Sequence, residues 1–138
     1  MDREAIKKIL PHREPMLLLD ETELNGGTAA GRYTVRGDEF FLRGHFPGNP
    51  VVPGVILCEM MEQSACLLVN AGEGAFTPYF TGIKNVKFRN KVLPGDTVVF
   101  ESRLTGQKGA FYFVKSSGTV GDTPVVDGEL SFAVVREV

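Results

Sequence analysis

The rhythm of apolar and polar positions changes twice along the chain. Residues 2–9 set Ile6 and Ile9, with Leu10 behind them, at helical spacing after Asp2, a residue type that caps helix N-termini. A short helix is expected there, ended by Pro11. MLLLDETEL (16–24) and TAAGRYTV (28–35) read as two strands joined by the turn NGG at 25–27. A block dense in proline and glycine follows, RGHFPGNPVVPG at 43–54. The stretch after it, VILCEMMEQSACLLVN, is expected to be helical over residues 54–70 and to be closed by NAGEG. From there the pattern is strand after strand: TPYFTGIKNVKFRNKV, TVVFESRL, AFYFVKSSGTV and VVDGELSFAVVREV. VLPGD, TGQKG and GDTP supply the turns.

The long helix is apolar nearly all round. Val55, Ile56, Leu57, Met60, Met61, Ala65, Leu67, Leu68 and Val69 surround its axis, whereas a surface helix shows one apolar stripe. An antiparallel sheet of about six strands wrapped around this central helix buries it most simply, an α+β architecture. One helix cannot cover the whole concave face of such a sheet. A homodimer that joins two sheets edge to edge is therefore expected, and it also removes exposed edge strands.

Composition narrows the class further. The 138 residues suit one domain spanning 1–138, with 43% hydrophobic and 23% charged positions. A net charge of −2 gives no support to nucleic-acid or membrane-surface binding. No apolar run reaches the roughly 20 residues of a membrane span, and the charged N-terminus lacks the apolar stretch of a secretion signal. A cytoplasmic location is expected. Cys58 and Cys66 fall eight positions apart on one helix, on the order of 12 Å, too far for a disulfide. They read as buried small hydrophobes, and two cysteines with two histidines make no zinc spacing.

The chemistry concentrates between residues 45 and 59. His45 is one of two histidines, and Pro47, Pro50 and Pro53 restrict the backbone around it. An imidazole accepts a proton near neutral pH. Glu59 sits in an apolar helix, where the charged form of a carboxyl is disfavoured and a proton is held ready to give. Gly54 opens that helix, where backbone N–H groups have no internal partner and the dipole favours negative charge. A carbonyl placed there would be polarised toward an enolate. Base, acid and oxyanion donor suit a substrate with an acidic carbon next to a carbonyl. The same residue types also serve plainer ends: His45 as a loop hydrogen-bonder, and Glu59 with Glu62 and Gln63 as a wet polar stripe. Residue types alone leave the two readings level.

LPHREPMLLLDET followed by FFLRGHFPGNPVVPGVILCEMMEQ, with VKFRNKVLPGD further on, resembles the Z type of the beta-hydroxyacyl-acyl-carrier-protein dehydratase family of fatty-acid synthesis. The likeness runs over nearly the whole chain. It implies a hot-dog fold and dehydration of a (3R)-3-hydroxyacyl thioester to the trans-2-enoyl thioester, with no metal or redox cofactor. It implies His45 as the catalytic imidazole, Glu59 as the catalytic carboxyl and Gly54 as a backbone donor to the thioester carbonyl. It further implies that His and Glu come from opposite protomers of a dimer, with assembly into a trimer of dimers left open. A dehydratase–isomerase, and a hot-dog thioesterase or hydratase acting on coenzyme A substrates, are the alternatives. Glu at position 59, where the isomerising enzymes carry Asp, favours the Z type. Glu14, Met16 and Glu62 depart from the family pattern and bear on tunnel lining and chain length.

The substrate implied is carried on the phosphopantetheine of an acidic acyl carrier protein. Lys87, Arg89 and Lys91 alternate along VKFRNK, so as a strand they share one face and would steer such a partner, with Arg103, Lys108 and Lys115 as further candidates. A solvated strand face explains the same residues equally. Phe76, Tyr79 and Phe80 are candidates to gate an acyl tunnel, with core or dimer packing as the other reading.

Overall fold

The computed structural model describes residues 1–69 and 76–136. Its centre is α2 (Gly54–Ala65), which begins at the Pro53–Gly54 punctuation and runs on into a 3-10 turn over Cys66–Leu68. The NAGEG segment expected to close it lies outside the described residues. Around α2 curls one antiparallel sheet of β1 (Glu21–Asn25), β2 (Thr28–Thr34), β3 (Thr77–Phe88), β4 (Thr97–Lys108), β5 (Phe111–Val120) and β6 (Thr123–Val135), in the order β1-β2-β4-β5-β6-β3. This is the α+β sheet-around-helix arrangement expected from the sequence. None of its described helices is long and apolar enough to cross a membrane.

Period-2 alternation orients the sheet. On β5, Tyr112, Val114 and Ser116 are buried between exposed neighbours. On β4, Val98, Phe100 and Ser102 follow the same pattern, and on β6, Leu130, Phe132 and Val134 are buried and alternate with half-buried neighbours. These inward side chains meet Met60, Met61, Ala65 and Cys66, all fully buried on α2 and the turn after it. Two inward polar residues satisfy each other, Ser102 Oγ lying 2.7 Å from Ser116 Oγ.

The helix lies close against the sheet at Gly31 of β2. A Cβ there would stand 2.3 Å from Ser64 Oγ, and that hydroxyl already donates to the Met60 carbonyl at 3.0 Å. Only a residue without a side chain lets α2 lie this near β2.

Three elements differ from expectation. The stretch 16–20 is no strand, and β1 starts at Glu21. Leu17, Leu18 and Leu19 are consecutive and all buried, which the alternating faces of a strand cannot provide. The N-terminal helix α1 (Arg3–Ile6) is a single turn, capped by Asp2 Oδ1 accepting from the Ala5 N–H at 2.9 Å. The third difference is β3, which ends at Phe88 and is irregular at Phe80/Gly82 and Lys84/Lys87.

Asp20 ties these parts together. It accepts from the Thr34 N–H at 2.8 Å, from Arg36 at 2.7 Å and from Arg3 at 3.2 Å. Burial alone would push this carboxyl up, but the Thr34 N–H and the two guanidinium groups outweigh it and hold it below its ordinary value.

Gly31→Ala should lower unfolding free energy by about 1–3 kcal/mol, the usual cost of overpacking. Gly27→Ala, where a Cβ meets nothing within 4 Å, should stay within about 0.5 kcal/mol. Urea denaturation of both variants measures the difference, and equal effects would contradict this account of how helix and sheet meet.

Candidate active site

The 43–53 loop is built by its own backbone. The Phe46 N–H donates to Asn49 O at 3.2 Å and the Asn49 N–H returns to Phe46 O at 2.8 Å. The Val51 N–H closes onto His45 O at 2.8 Å. This brings the Val51 carbonyl 2.9 Å from His45 Nδ1. A carbonyl can only accept, so Nδ1 carries the hydrogen, and in the neutral ring Nε2 is then the basic nitrogen. The Phe46 ring stacks on the imidazole with centroids 4.2 Å apart. Position, tautomer and ring plane of His45 are all set before any substrate arrives.

His45 opens onto a groove of about 620 Å³ that it shares with Val51, Pro53, Gly54, Leu57 and Phe88, with Arg89 and Lys91 also along its walls. Gly54 is enclosed by the ring of Phe88, which a Cβ would meet at 2.9 Å. The first turn of α2 bonds inward through the N–H groups of Ile56 and Leu57, both onto Pro53 O. The Gly54 N–H precedes them, at the positive end of the helix and in the same groove as His45.

Glu59 belongs to a different cluster. Its Oε2 accepts from Gln63 Nε2 at 2.9 Å and lies 3.4 Å from His12 Nε2, with the two side chains 19% and 15% exposed. Gln63 is fully buried, and its amide is used at both ends. Nε2 donates to Met16 O at 2.8 Å as well as to Glu59, and Oε1 accepts from the Leu18 N–H at 2.9 Å. Glu62 is buried beside them, and the burial, then the charge of Glu59, push its carboxyl up to about 8. Burial also raises the thiols of Cys58 and Cys66, so both are inert neutral groups, in line with their reading as small hydrophobes.

His12, Glu59 and Glu62 offer atoms all within 4.8 Å of one another. With Glu59 already engaged by Gln63 and two of the three groups carboxyls one helical turn apart, the cluster is suited to holding a proton.

Within one chain, then, His45 and Gly54 come together and Glu59 stands apart from their groove. His12 and the full role of Gln63 were not found from sequence. Gln63 had a signal, its i+4 spacing from Glu59. His12 had none, because only the fold brings it to α2.

The peripheral candidates separate. Phe76 is in the buried core, Phe80 is half-buried and Tyr79 is exposed, three environments rather than one lining. β3 stops at Phe88, so strand alternation reaches Lys87 but not Arg89 and Lys91, which lie beyond the strand. Arg89 forms an ion pair with Asp127, which also faces Lys87 in register. That guanidinium holds the Asp127 carboxyl below its ordinary value. Arg103 and Lys115 are cross-strand neighbours in a second groove that also contains Glu101, and Lys108 is exposed at the end of β4. Glu14 pairs with Arg3 at 2.9 Å and Lys7 at 3.1 Å. Its own backbone N–H, then Lys7 and Arg3, hold its carboxyl down at about 2.

Comparison with known proteins gives this arrangement a class. A family model described as a FabA-like domain matches residues 10–129, and the chain belongs to that family. Within it, the chain groups with the Z type. It is 41% identical to the 3-hydroxyacyl-acyl-carrier-protein dehydratase FabZ of Clostridium botulinum, an alignment covering 97% of this chain and 96% of that protein. It is also 41% identical to the FabZ of Caldicellulosiruptor saccharolyticus, over 96% and 98% of the two. Among solved structures, the dehydratase heterocomplex ApeI:P from Xenorhabdus doucetiae shares the fold. Its TM-score is 0.83 at 21% identity, covering 96% of this chain and 91% of that one.

Proposed function

We propose that this chain is a 3-hydroxyacyl-acyl-carrier-protein dehydratase of fatty-acid synthesis. It removes water from a (3R)-3-hydroxyacyl thioester to give the trans-2-enoyl thioester. The observation that carries the reading is the pairing of a tautomer-fixed His45 with the Gly54 N–H in one groove. The thioester carbonyl accepts from Gly54 at the start of α2, which acidifies C2. His45 Nε2 takes the C2 proton. Glu59, protonated, gives a proton to the C3 hydroxyl, which leaves as water. No step calls for a metal or a redox cofactor.

The acid and the base meet in a homodimer. β3 is an edge of the sheet and carries exposed Tyr79, Ile83 and Phe88, while Val55 on the first turn of α2 is 74% exposed. An apolar edge strand of this kind is an interface awaiting a second copy. Pairing two copies along it brings His45 and Gly54 of one protomer to Glu59 of the other. A cytoplasmic setting suits this chemistry and its carrier.

Incubation with a 3-hydroxyacyl thioester should give enoyl absorbance without release of free thiol. Thiol release without enoyl product would instead make the chain a thioesterase. His45→Ala and Glu59→Gln should each lower turnover by about 10²–10⁴-fold with folding intact, the usual contribution of a general acid or base. Near-normal turnover in either would remove that residue from the mechanism.

The acyl carrier approaches where cations border the groove. Lys91 lines it with no ion pair among the described residues, while Arg89 is tied to Asp127. Lys91→Glu should raise KM for a carrier-linked substrate and leave turnover of a short pantetheine thioester nearly unchanged, because that substrate lacks the acidic protein. Added salt should narrow the gap between wild type and variant. Equal losses on both substrates would mean damage to the groove rather than to docking.

A further inference from the structure

Glu62 is a carboxyl where the surroundings disfavour one. It is 2% exposed, it follows Glu59 by three positions on α2, and among the described residues no cation forms an ion pair with it. Its oxygen lies within 4.8 Å of both a Glu59 oxygen and a His12 ring nitrogen. Among the described residues the ionisable groups facing it are few. α2 and the turn after it contribute Glu59 and Cys66, and the segment before β1 contributes His12. Cys66 is held neutral by burial and brings no charge. Two carboxyls this close, in so little water, cannot both ionise without a large penalty.

We propose that Glu59 and Glu62 hold one proton between them through neutral pH, so that Glu62 is a positioning residue that keeps the acid charged with its proton. The acid role of Glu59 rests on the dehydratase reading, whereas the shared proton does not. Burial and the Glu59 charge pushing Glu62 up to about 8 agree with a proton retained well above the ordinary carboxyl range. The balance of the reaction is unchanged. One proton leaves C2 for His45, one passes from the carboxyl pair to the departing hydroxyl, and the return of the first restores the pair. Because the carboxyls titrate as a unit, the alkaline limit of activity belongs to the pair and not to either residue.

Glu62→Gln keeps the shape and removes the second carboxyl. Two titrations test it, both in the presence of EDTA so that no cation occupies the cluster. The first is unfolding free energy against pH. Native Glu62 keeps a proton that the unfolded chain loses at about pH 4.3. The native state therefore binds more protons from there up to about pH 8, and the wild type loses stability as pH rises across that window. The difference between wild type and Glu62→Gln should be constant below the window and grow through it. The second is the rate of dehydration against pH. Its alkaline limb should move to lower pH by about one unit or more in Glu62→Gln, and Glu62→Asp should restore part of it. A stability difference independent of pH would overturn the shared proton. A pH-dependent difference with an unmoved alkaline limb would overturn the link to Glu59. The stability titration reads the proton whatever the chain catalyses, so a wrong dehydratase reading shows separately, as wild type that forms no enoyl product.

Discussion

The Gln63 amide is the contact on which the rest depends. A helix as apolar as α2 can be buried, but a carboxyl on it cannot be held in place by apolar neighbours. Gln63 solves this with one side chain. It accepts from the Leu18 N–H, donates to Met16 O and donates to Glu59 Oε2. Those bonds satisfy the Leu18 N–H and the Met16 carbonyl in a segment that lies outside the strands, hold Leu17, Leu18 and Leu19 against the core and fix the orientation of Glu59. The departure of residues 16–20 from strand geometry and the placement of the Glu59 carboxyl therefore have one cause.

His45 is fixed by different means. Its loop is held by backbone hydrogen bonds among residues 42–51, and its tautomer by the Val51 carbonyl. Gly54 sits at the junction, free of a Cβ because Phe88 covers it. One chain thus sets two separate groups of side chains along α2, His45 with Gly54 at its N-terminal end and Glu59 with Glu62, Gln63 and His12 further along it. The proposed dimer joins the two groups, and the exposed apolar side chains on β3 and Val55 give it a physical reason to form.

The sequence disclosed the elements with strong local signals. The non-amphipathic helix demanded a wrapping sheet, and turn residues such as Gly26, Gly95, Gly109 and Gly121 adopt the positive φ that their turns require. His45, Gly54 and Glu59 stood out because proline, glycine and a carboxyl in an apolar run are locally unusual. His12 did not, since nothing near Pro11 hints at a neighbour on α2. The alternation through Lys87, Arg89 and Lys91 does not run its whole length as a strand, because β3 ends at Phe88 and Arg89 pairs with Asp127. Long-range pairings of this kind leave no mark on local periodicity.

The central claim is that each active site takes His45 and Gly54 from one protomer and Glu59 from the other. Subunit mixing tests it most directly. His45→Ala and Glu59→Gln proteins, each inactive alone, are unfolded together and refolded as an equimolar mixture. Random pairing makes half the dimers mixed, and each mixed dimer has one site with both wild-type groups and one with neither, so roughly one quarter of wild-type activity should return. A mixture as inactive as its two components, with mixed dimers shown to form, would mean that His45 and Glu59 act within a single chain or not together at all.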